Sequence, residues 1–133
     1  MEKIIICIGT NDGKCIAKSH MGDTEMFYLY EISENNNIFF LDKRENTVRN
    51  LDHAGKGKMN AILNIVKEAD VLVSNQKSPN FIKIAKNTGF QPVIVKETDI
   101  NKALELLKAN FSEILYLVKK RKADNFSDFI SEI

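Results

Sequence analysis

The short apolar segments of the first 45 residues follow the pattern of β-strands. Residues 3–8, KIIICI, are β-branched and apolar on both faces, which is typical of a strand inside a covered sheet. Residues 25–32 and 38–45 predict a second and a third strand, joined by the turn-forming sequence SENNN. We therefore expect these three strands to form an antiparallel meander.

From residue 59 onward, apolar positions alternate between helical and strand spacing. Apolar residues at i, i+3, i+4 and i+7 predict a first helix: Met59, Ile62, Leu63 and Val66. Residues 70–74 and 92–96 predict two short strands. Between them a second helix is expected, with Ser78 as N-cap, Pro79 at its first position and Gly89 as its C-terminal stop.

A third helix and the order of the elements complete the fold prediction. The helix spans residues 98–110, with Thr98 or Asp99 as its cap. Strands that alternate with helices imply right-handed βαβ crossovers and parallel pairing. The sequence thus predicts a three-layer α/β domain with a mixed five-stranded sheet, the ribonuclease H-like arrangement. We place this domain at residues 1–110 and a C-terminal helical extension at residues 111–133.

The extension carries two apolar stripes and a basic segment between them. The first stripe comprises Phe111, Ile114, Leu115 and Val118, and the second comprises Phe126, Phe129, Ile130 and Ile133. The extension is therefore predicted to form one or two amphipathic helices. The second stripe either docks on the domain or contacts a partner protein. The four basic residues at 119–122 predict a solvated surface, with an anionic partner as the less favoured interpretation.

Composition narrows the class of protein. The 133 residues, 44% of them hydrophobic, suit one compact domain. A net charge of +1 argues against nucleic acid as the main partner. No apolar run approaches the roughly 20 residues that span a bilayer, and the N-terminus lacks the features of a signal peptide. We therefore expect a cytoplasmic protein that has no membrane partner.

The two cysteines are expected to be free thiols in a reducing compartment. Cys7 lies inside an apolar run and is predicted to be buried in the core. Cys15 lies in a turn five residues before His20 and is either incidental or a ligand.

The common catalytic motifs are missing. A two-metal nuclease needs carboxylates at the carboxyl ends of the central strands, where this chain has Ser74 and Asn75. Asp70 lies at the opposite end of that strand. The segment from His53 to Lys58 lacks the spacing of a phosphate-binding P-loop, and no nucleophile elbow occurs. We therefore expect a protein that is not an enzyme.

Two features could still bind a ligand. The segment Gly55, Lys56, Gly57 and Lys58 precedes a helix, so its backbone N–H groups and two lysines suit a small anion. The alternative is a plain loop with solvated lysines. His20 and His53 lie in loops near the carboxyl ends of the strands, where ligands of α/β sheets bind. Each histidine is either a ligand or a surface residue.

The order and spacing of three segments resemble the dinitrogenase iron–molybdenum cofactor biosynthesis family. Residues 19–32, SHMGDTEMFYLYEI, stand where the family has a His-Phe-Gly motif and an aromatic-rich strand. Residues 52–63, DHAGKGKMNAIL, stand where it has a His-Gly-rich loop and a helix. Residues 69–95 match its strand–helix–strand order, and the likeness spans about residues 3–108.

The resemblance implies a specific role. The family comprises small stand-alone domains similar to nitrogenase cofactor carrier proteins and to the C-terminal domain of the cofactor-assembly protein. Its fold is ribonuclease H-like, it is not known for catalysis, and its better-understood members bind or carry iron–sulfur-type metalloclusters. By this resemblance, His20 is the expected cluster ligand, with His53 or Cys15 as further metal ligands. Gly22 and the Gly55–Lys58 segment would complete the binding site.

Departures from the family pattern leave alternatives open. Met21 replaces the phenylalanine of the motif, and a single Ala54–Gly55 step replaces consecutive glycines. The cargo, an iron–sulfur or iron–molybdenum-type cluster or its precursor, would pass between donor and acceptor proteins. The rival hypotheses are a metal-free regulatory or scaffold module that binds a protein partner, and a small-anion binder at Gly55–Lys58.

Overall fold

The first half of the protein is an antiparallel meander. The structure, a computed structural model, describes residues 2–50, 56–123, 127 and 129–133. The meander comprises β1 (Lys3–Thr10), β2 (Met26–Ser33) and β3 (Ile38–Glu45). β2 pairs antiparallel with both neighbours, which confirms the prediction.

Helices and parallel strands alternate in the second half. The elements are α1 (Lys56–Ile65), β4 (Val71–Ser74), α2 (Pro79–Asn87), β5 (Gln91–Ile94), α3 (Ile100–Ala109) and α4 (Phe111–Lys122). β4 pairs parallel with both β1 and β5, as expected for right-handed crossovers. Ser78 caps α2, since its hydroxyl oxygen accepts a hydrogen bond from the Phe81 N–H at 3.2 Å. Asp99 caps α3 in the same way.

Among the described residues the sheet has six strands in the order β3-β2-β1-β4-β5-β6, so the prediction of five was wrong. The sixth strand, β6 (Ser131–Glu132), pairs parallel with β5. The second apolar stripe was predicted as a helix, but its described residues, Phe129, Ile130 and Ile133, are not helical and flank this strand. A strand of two residues is too short to leave a periodic pattern in a sequence.

Helices cover both faces of the sheet, which gives three layers. On one face, α3 and α4 bury a cluster that includes Ile100, Leu104, Leu107, Ile114 and Val118. On the other face, α1 and α2 bury a cluster that includes Ile62, Val66, Phe81, Ile84 and Ala85. Cys7 lies in this second cluster and is fully buried, which confirms its predicted place in the core.

The C-terminal extension packs onto the same core. Phe111, Ile114 and Val118 of α4 are buried in the first cluster, and Ile130 is buried in the second. Phe126 lies outside the described residues. No helix of the described part of the chain is long and apolar enough to cross a membrane. The predicted division at residue 110 stays a prediction about independent folding.

Arg121 corrects the prediction of a solvated basic segment. Its side chain is 3% exposed, although the neighbouring lysines of α4 lie in solvent. The guanidinium donates to the carbonyl oxygens of Ala85 and Thr88 at the end of α2, and to the Gln91 side chain at 2.6 Å. Burial lowers the pKa of this arginine. The cation therefore joins α4 to the negative end of the α2 dipole.

Candidate functional site

A cavity of about 480 Å³ lies between α1 and α2, beside the carboxyl end of β4. Its volume is within the usual range of small-ligand sites. The lining groups include His20, Met21, Gly22, Lys58, Met59, Ser74, Ser78, Asn80, Phe81 and Lys83. The cavity thus occupies the crevice where the sequence predicted a ligand site.

His20 lies at this cavity, immediately before a short 3₁₀ helix (Met21–Asp23). We call these four residues the His20 turn. The imidazole is exposed and forms no hydrogen bond or ion pair with the described part of the chain. Its backbone is fixed, because the His20 carbonyl accepts the Asp23 N–H at 2.9 Å. The imidazole therefore lies at the cavity on a backbone that is held by a hydrogen bond.

Side chains from a distant segment hold the His20 turn. The amide nitrogen of Asn46 donates to the carbonyl oxygens of Gly22 and Thr24, both at 2.9 Å. The Arg49 guanidinium donates to the Asp23 carbonyl at 3.0 Å. Ordering of this kind reduces the conformational entropy that is lost when a ligand binds.

Gly22 lets the turn lie against α1. A Cβ atom at this position would lie 3.0 Å from the terminal methyl of Ile62, closer than an ordinary van der Waals contact. The glycine is thus explained by a close approach between the turn and the helix.

Lys58 lies beneath the turn and is 5% exposed. Its ammonium forms an ion pair with Asp23 at 3.0 Å and donates to the Arg49 carbonyl at 3.0 Å. The sequence suggested this lysine as a charge offered to an anion. In the structure its ammonium is already engaged within the protein.

The other predicted site residues lie in α1, outside the described residues, or away from the cavity lining. Lys56 begins α1, and Gly57 lies in its first turn and is exposed. His53 and Gly55 lie outside the described residues, so their predicted roles stay predictions. Cys15 is exposed and is not among the residues that line the cavity. The structure thus brings His20, Gly22 and Lys58 together, without Cys15.

Cys15 belongs to a separate ordered turn. The backbone N–H groups of Cys15 and Lys14 donate to the Asp12 carboxylate at 2.9 and 2.8 Å, and they lower the pKa of that carboxyl. Cys15 also forms an isolated antiparallel bridge with Asp99, ahead of α3. Ile16, next in the chain, packs into the cluster beneath α3 and α4, on the sheet face opposite the cavity.

The charge of the cavity lining favours an anionic ligand. Lys83 contributes an exposed ammonium group to the lining, whereas the ammonium of Lys58 is paired with Asp23, and none of the described lining residues is a carboxylate. The N-terminal residues of α2, Ser78 and Asn80, also face the space. Within the described ranges, no group of three or more His, Cys, Asp or Glu side chains is arranged to hold a single metal ion.

Sequence reasoning missed the residues that support the turn. Asp23 and Asn46 carry no local signal, because their partners lie 35 and 24 residues away along the chain. Lys83 was not singled out from the sequence. The helical pattern of α2 could have indicated that Lys83 and the N-terminal residues of the helix share one side.

Comparison with known proteins identifies the family. The chain matches the family model described as dinitrogenase iron-molybdenum cofactor over residues 2–110. No curated protein matches it. The NMR structure of a Thermotoga protein, proposed to be a NifB protein of the DUF35 family, has a similar fold, with a TM-score of 0.52 and 18% identity. That alignment covers 83% of this chain and 88% of the other, and it concerns the fold alone. Since the family match spans most of its length, the chain belongs to the dinitrogenase iron–molybdenum cofactor family.

Proposed function

We propose that this protein is a non-enzymatic carrier that transiently binds an iron–sulfur or iron–molybdenum-type cluster, or its precursor, through His20. The observation that carries the proposal is the position of His20 at a ligand-sized cavity, with an exposed imidazole that has no partner among the described residues. Imidazole is a suitable ligand for iron. A carrier needs few protein ligands, because its cargo must leave again.

The charge of the cavity supports the same proposal. Clusters held by sulfide and thiolate are anionic, and the described lining contains the exposed Lys83 and no carboxylate. Lys83 is exposed on α2 and would face such a cargo directly. Membership of the family is consistent with this choice of cargo.

The proposal also includes the ribonuclease H-like arrangement of the fold, the cellular location of the protein and its partners. Five strands in the order β3-β2-β1-β4-β5, with only β2 antiparallel, support the ribonuclease H-like arrangement. We place the protein in the cytoplasm, where its two free thiols would stay reduced. Its partners would be cluster donor and acceptor proteins, and not nucleic acid or membrane.

Anaerobic reconstitution tests the proposal. The protein is incubated with ferrous iron and sulfide, desalted and assayed for bound iron and for a cluster absorption band. We expect wild-type protein to retain a cluster and His20→Ala to retain at least about tenfold less, as is usual when an ordering contact or ligand of a metal site is lost. Ser19→Ala, a change at an exposed neighbour in the same loop, is the matched control and should behave as wild type.

Two results would contradict the proposal. The first is a wild-type protein that takes up no iron from sulfide-containing buffer or from a cluster donor. The second is equal retention by wild type and His20→Ala. Cys15→Ser and His53→Ala, measured in parallel, decide whether either residue assists His20.

A metal-free scaffold remains the second candidate, and one surface favours it. Phe39 and Phe40 are 53% and 54% exposed on β3, the edge strand of the sheet, and Leu41 beside them is exposed as well. Exposed apolar residues at a free strand edge are typical of protein contacts. A partner of this kind would bind at β3, since α4 and β6 of the extension pack onto the domain.

A further inference from the structure

The structure assigns to Lys58 the role of a positioning residue, which fixes the His20 turn against α1 and does not serve as a charge for the cargo. This inference rests on the proposed function, because it concerns the part of the chain that holds the proposed ligand. It also departs from the sequence-based expectation, in which Lys58 belonged to an anion-binding loop.

One ammonium group connects three segments of the chain. Lys58 extends from the first turn of α1, and its Nζ atom donates to the Asp23 carboxylate of the His20 turn at 3.0 Å. The same atom donates to the Arg49 carbonyl at 3.0 Å. Arg49 lies four residues before His53 in the sequence. Lys58 therefore ties α1 to both of the segments that lead to a candidate histidine.

Burial explains why this contact is structural. The side chain of Lys58 is 5% exposed and that of Asp23 is 27% exposed. A buried ammonium is stable only when it is paired and hydrogen-bonded, and both conditions are met inside the protein. A group that is already satisfied in this way has little to offer an incoming anion.

The stem of the lysine also fills the space beneath the turn. A Cβ atom at Gly22 would lie 3.6 Å from Cε of Lys58, so the turn rests on this side chain. Removal of the ammonium would break the ion pair between Asp23 and α1 at Lys58, while the contacts of the turn to Asn46 and Arg49 would stay. The backbone that carries His20 would then sample more conformations.

The two possible roles of Lys58, to position the turn or to neutralise the cargo, predict opposite effects of Asp23→Asn on cluster binding. If Lys58 neutralised the cargo, Asp23→Asn would free the ammonium and tighten binding of an anionic cluster. If Lys58 fixes the turn through Asp23, the same change loosens the turn and weakens binding. Groups that orient a metal ligand typically contribute 10–100-fold in affinity.

The experiment compares Lys58→Met, Asp23→Asn and the double variant with wild type, using ferrous iron and sulfide as the probe. Retained iron is measured as above, and amide hydrogen exchange is measured by NMR in the metal-free proteins. We expect each single variant to retain at least about tenfold less cluster. We also expect faster exchange at the Asp23 and Thr24 amides, which donate to the His20 and Met21 carbonyls. The double variant should lose less than the sum of the two single losses, because both changes break the same ion pair between Asp23 and Lys58.

Lys86→Met is the matched control. Lys86 is exposed on α2 and is not among the residues that line the cavity. Lys86→Met should leave cluster retention and amide exchange unchanged. It thereby shows that the loss of one lysine charge from the surface does not by itself produce the effect of Lys58→Met.

Tighter cluster retention by Asp23→Asn, or unchanged exchange at the two amides in Lys58→Met, overturns the positioning role. The exchange measurement needs no cluster, so it decides the role of Lys58 even if the wild-type protein takes up no iron. If Lys58→Met fails to fold, the near-isosteric Asp23→Asn gives the same decision from the sign of its effect.

Discussion

The two thiols of the chain lie in opposite environments. Cys7 is fully buried on β1, and burial raises the pKa of its thiol above the usual range. Cys15 is exposed. Because the thiolate is the reactive form, we expect iodoacetamide at about pH 8 to label Cys15 in the folded protein and to spare Cys7. Mass spectrometry before and after urea denaturation measures this difference.

The control for this prediction is Cys15→Ser. This variant should take up no label until it is unfolded. Rapid labelling of Cys7 in the native protein would show that β1 is more accessible than the structure indicates.

Arg121 contributes to stability through contacts with neutral groups. We expect Arg121→Met to lower the free energy of unfolding by about 2–4 kcal/mol, because several buried acceptors lose a charged donor. Lys120→Met, one residue earlier on the exposed side of α4, should stay within about 0.5 kcal/mol of wild type. Urea denaturation followed by circular dichroism measures both. Equal effects of the two changes would contradict the role of Arg121.

Residues with local partners could be predicted from sequence, and residues with distant partners could not. Ser78 and Asp99 cap helices through N–H groups three residues away, so their roles are visible in the sequence. The sequence predicted that Lys58 offers its charge to a ligand and that Arg121 lies on a solvated surface. Their burial depends on Asp23 and Gln91, which are 35 and 30 residues distant along the chain.

At the scale of elements, Arg44 joins the edge strand β3 to helix α1. Its guanidinium donates to the Ile65 carbonyl at 2.6 Å and bonds the carboxylates of Glu68 and Asp42. The hydrogen bonds from Arg44 are the main cause of the lowered pKa of both carboxyls. Phe39 and Phe40 of the same strand are about half exposed, so the Arg44 contacts join a partly exposed strand to the helical layer.

The lowered pKa values predict how this link depends on pH. Both carboxylates stabilise the folded state above the ordinary carboxyl pKa of about 4, and this contribution is lost as the pH falls through their lowered folded values. The thermal midpoint of Arg44→Met should therefore lie furthest below that of wild type near neutral pH, and the difference should shrink below about pH 4. Melting curves by circular dichroism across this range measure it.

Lys43→Met on the same strand is the control, since Lys43 is exposed and should show only a small difference from wild type. A difference between wild type and Arg44→Met that stays constant with pH would assign the whole effect to the Ile65 carbonyl.

Element boundaries were predicted best where a cap or a turn fixes them. β3 begins and ends at the predicted residues. α2 was expected to stop at Gly89, but it ends at Asn87, with Thr88 donating its hydroxyl to the Ile84 carbonyl at 2.8 Å. Gly89 does not adopt the left-handed conformation of a terminating glycine. A threonine that caps through its side chain has no distinct signature at this position.

At the scale of the whole molecule, the extension beyond residue 110 covers one face of the sheet. The family match and the predicted domain both end at this residue, yet α4 buries Phe111, Ile114 and Val118 against the strands. Each such side chain contributes about 1.5–3 kcal/mol when buried. Their sum is comparable with the roughly 5–15 kcal/mol that stabilises a domain.

We therefore expect a fragment of residues 1–110 to lose cooperative unfolding. Its NMR amide signals should be poorly dispersed, and it should bind a hydrophobic dye that wild-type protein does not bind. A fragment with a dispersed spectrum and a sharp thermal transition would show that the predicted boundary is a true domain boundary.

The overall topology was predictable because alternating strands and helices admit few arrangements. The cavity followed from the same rule, since it lies at the carboxyl ends of the parallel strands. The family resemblance predicted His20 as the cluster ligand. The supporting contacts that order its turn became visible only in three dimensions.

The most direct test of cluster binding at His20 is pulsed electron paramagnetic resonance on protein reconstituted with iron and sulfide, reduced, and labelled with ¹⁵N-histidine. The chain has two histidines, so His53→Ala leaves His20 as the only labelled residue. We expect a ¹⁵N hyperfine coupling to the cluster that persists in His53→Ala and disappears in His20→Ala. A wild-type cluster without nitrogen coupling, or a coupling that survives in His20→Ala, would contradict ligation by His20.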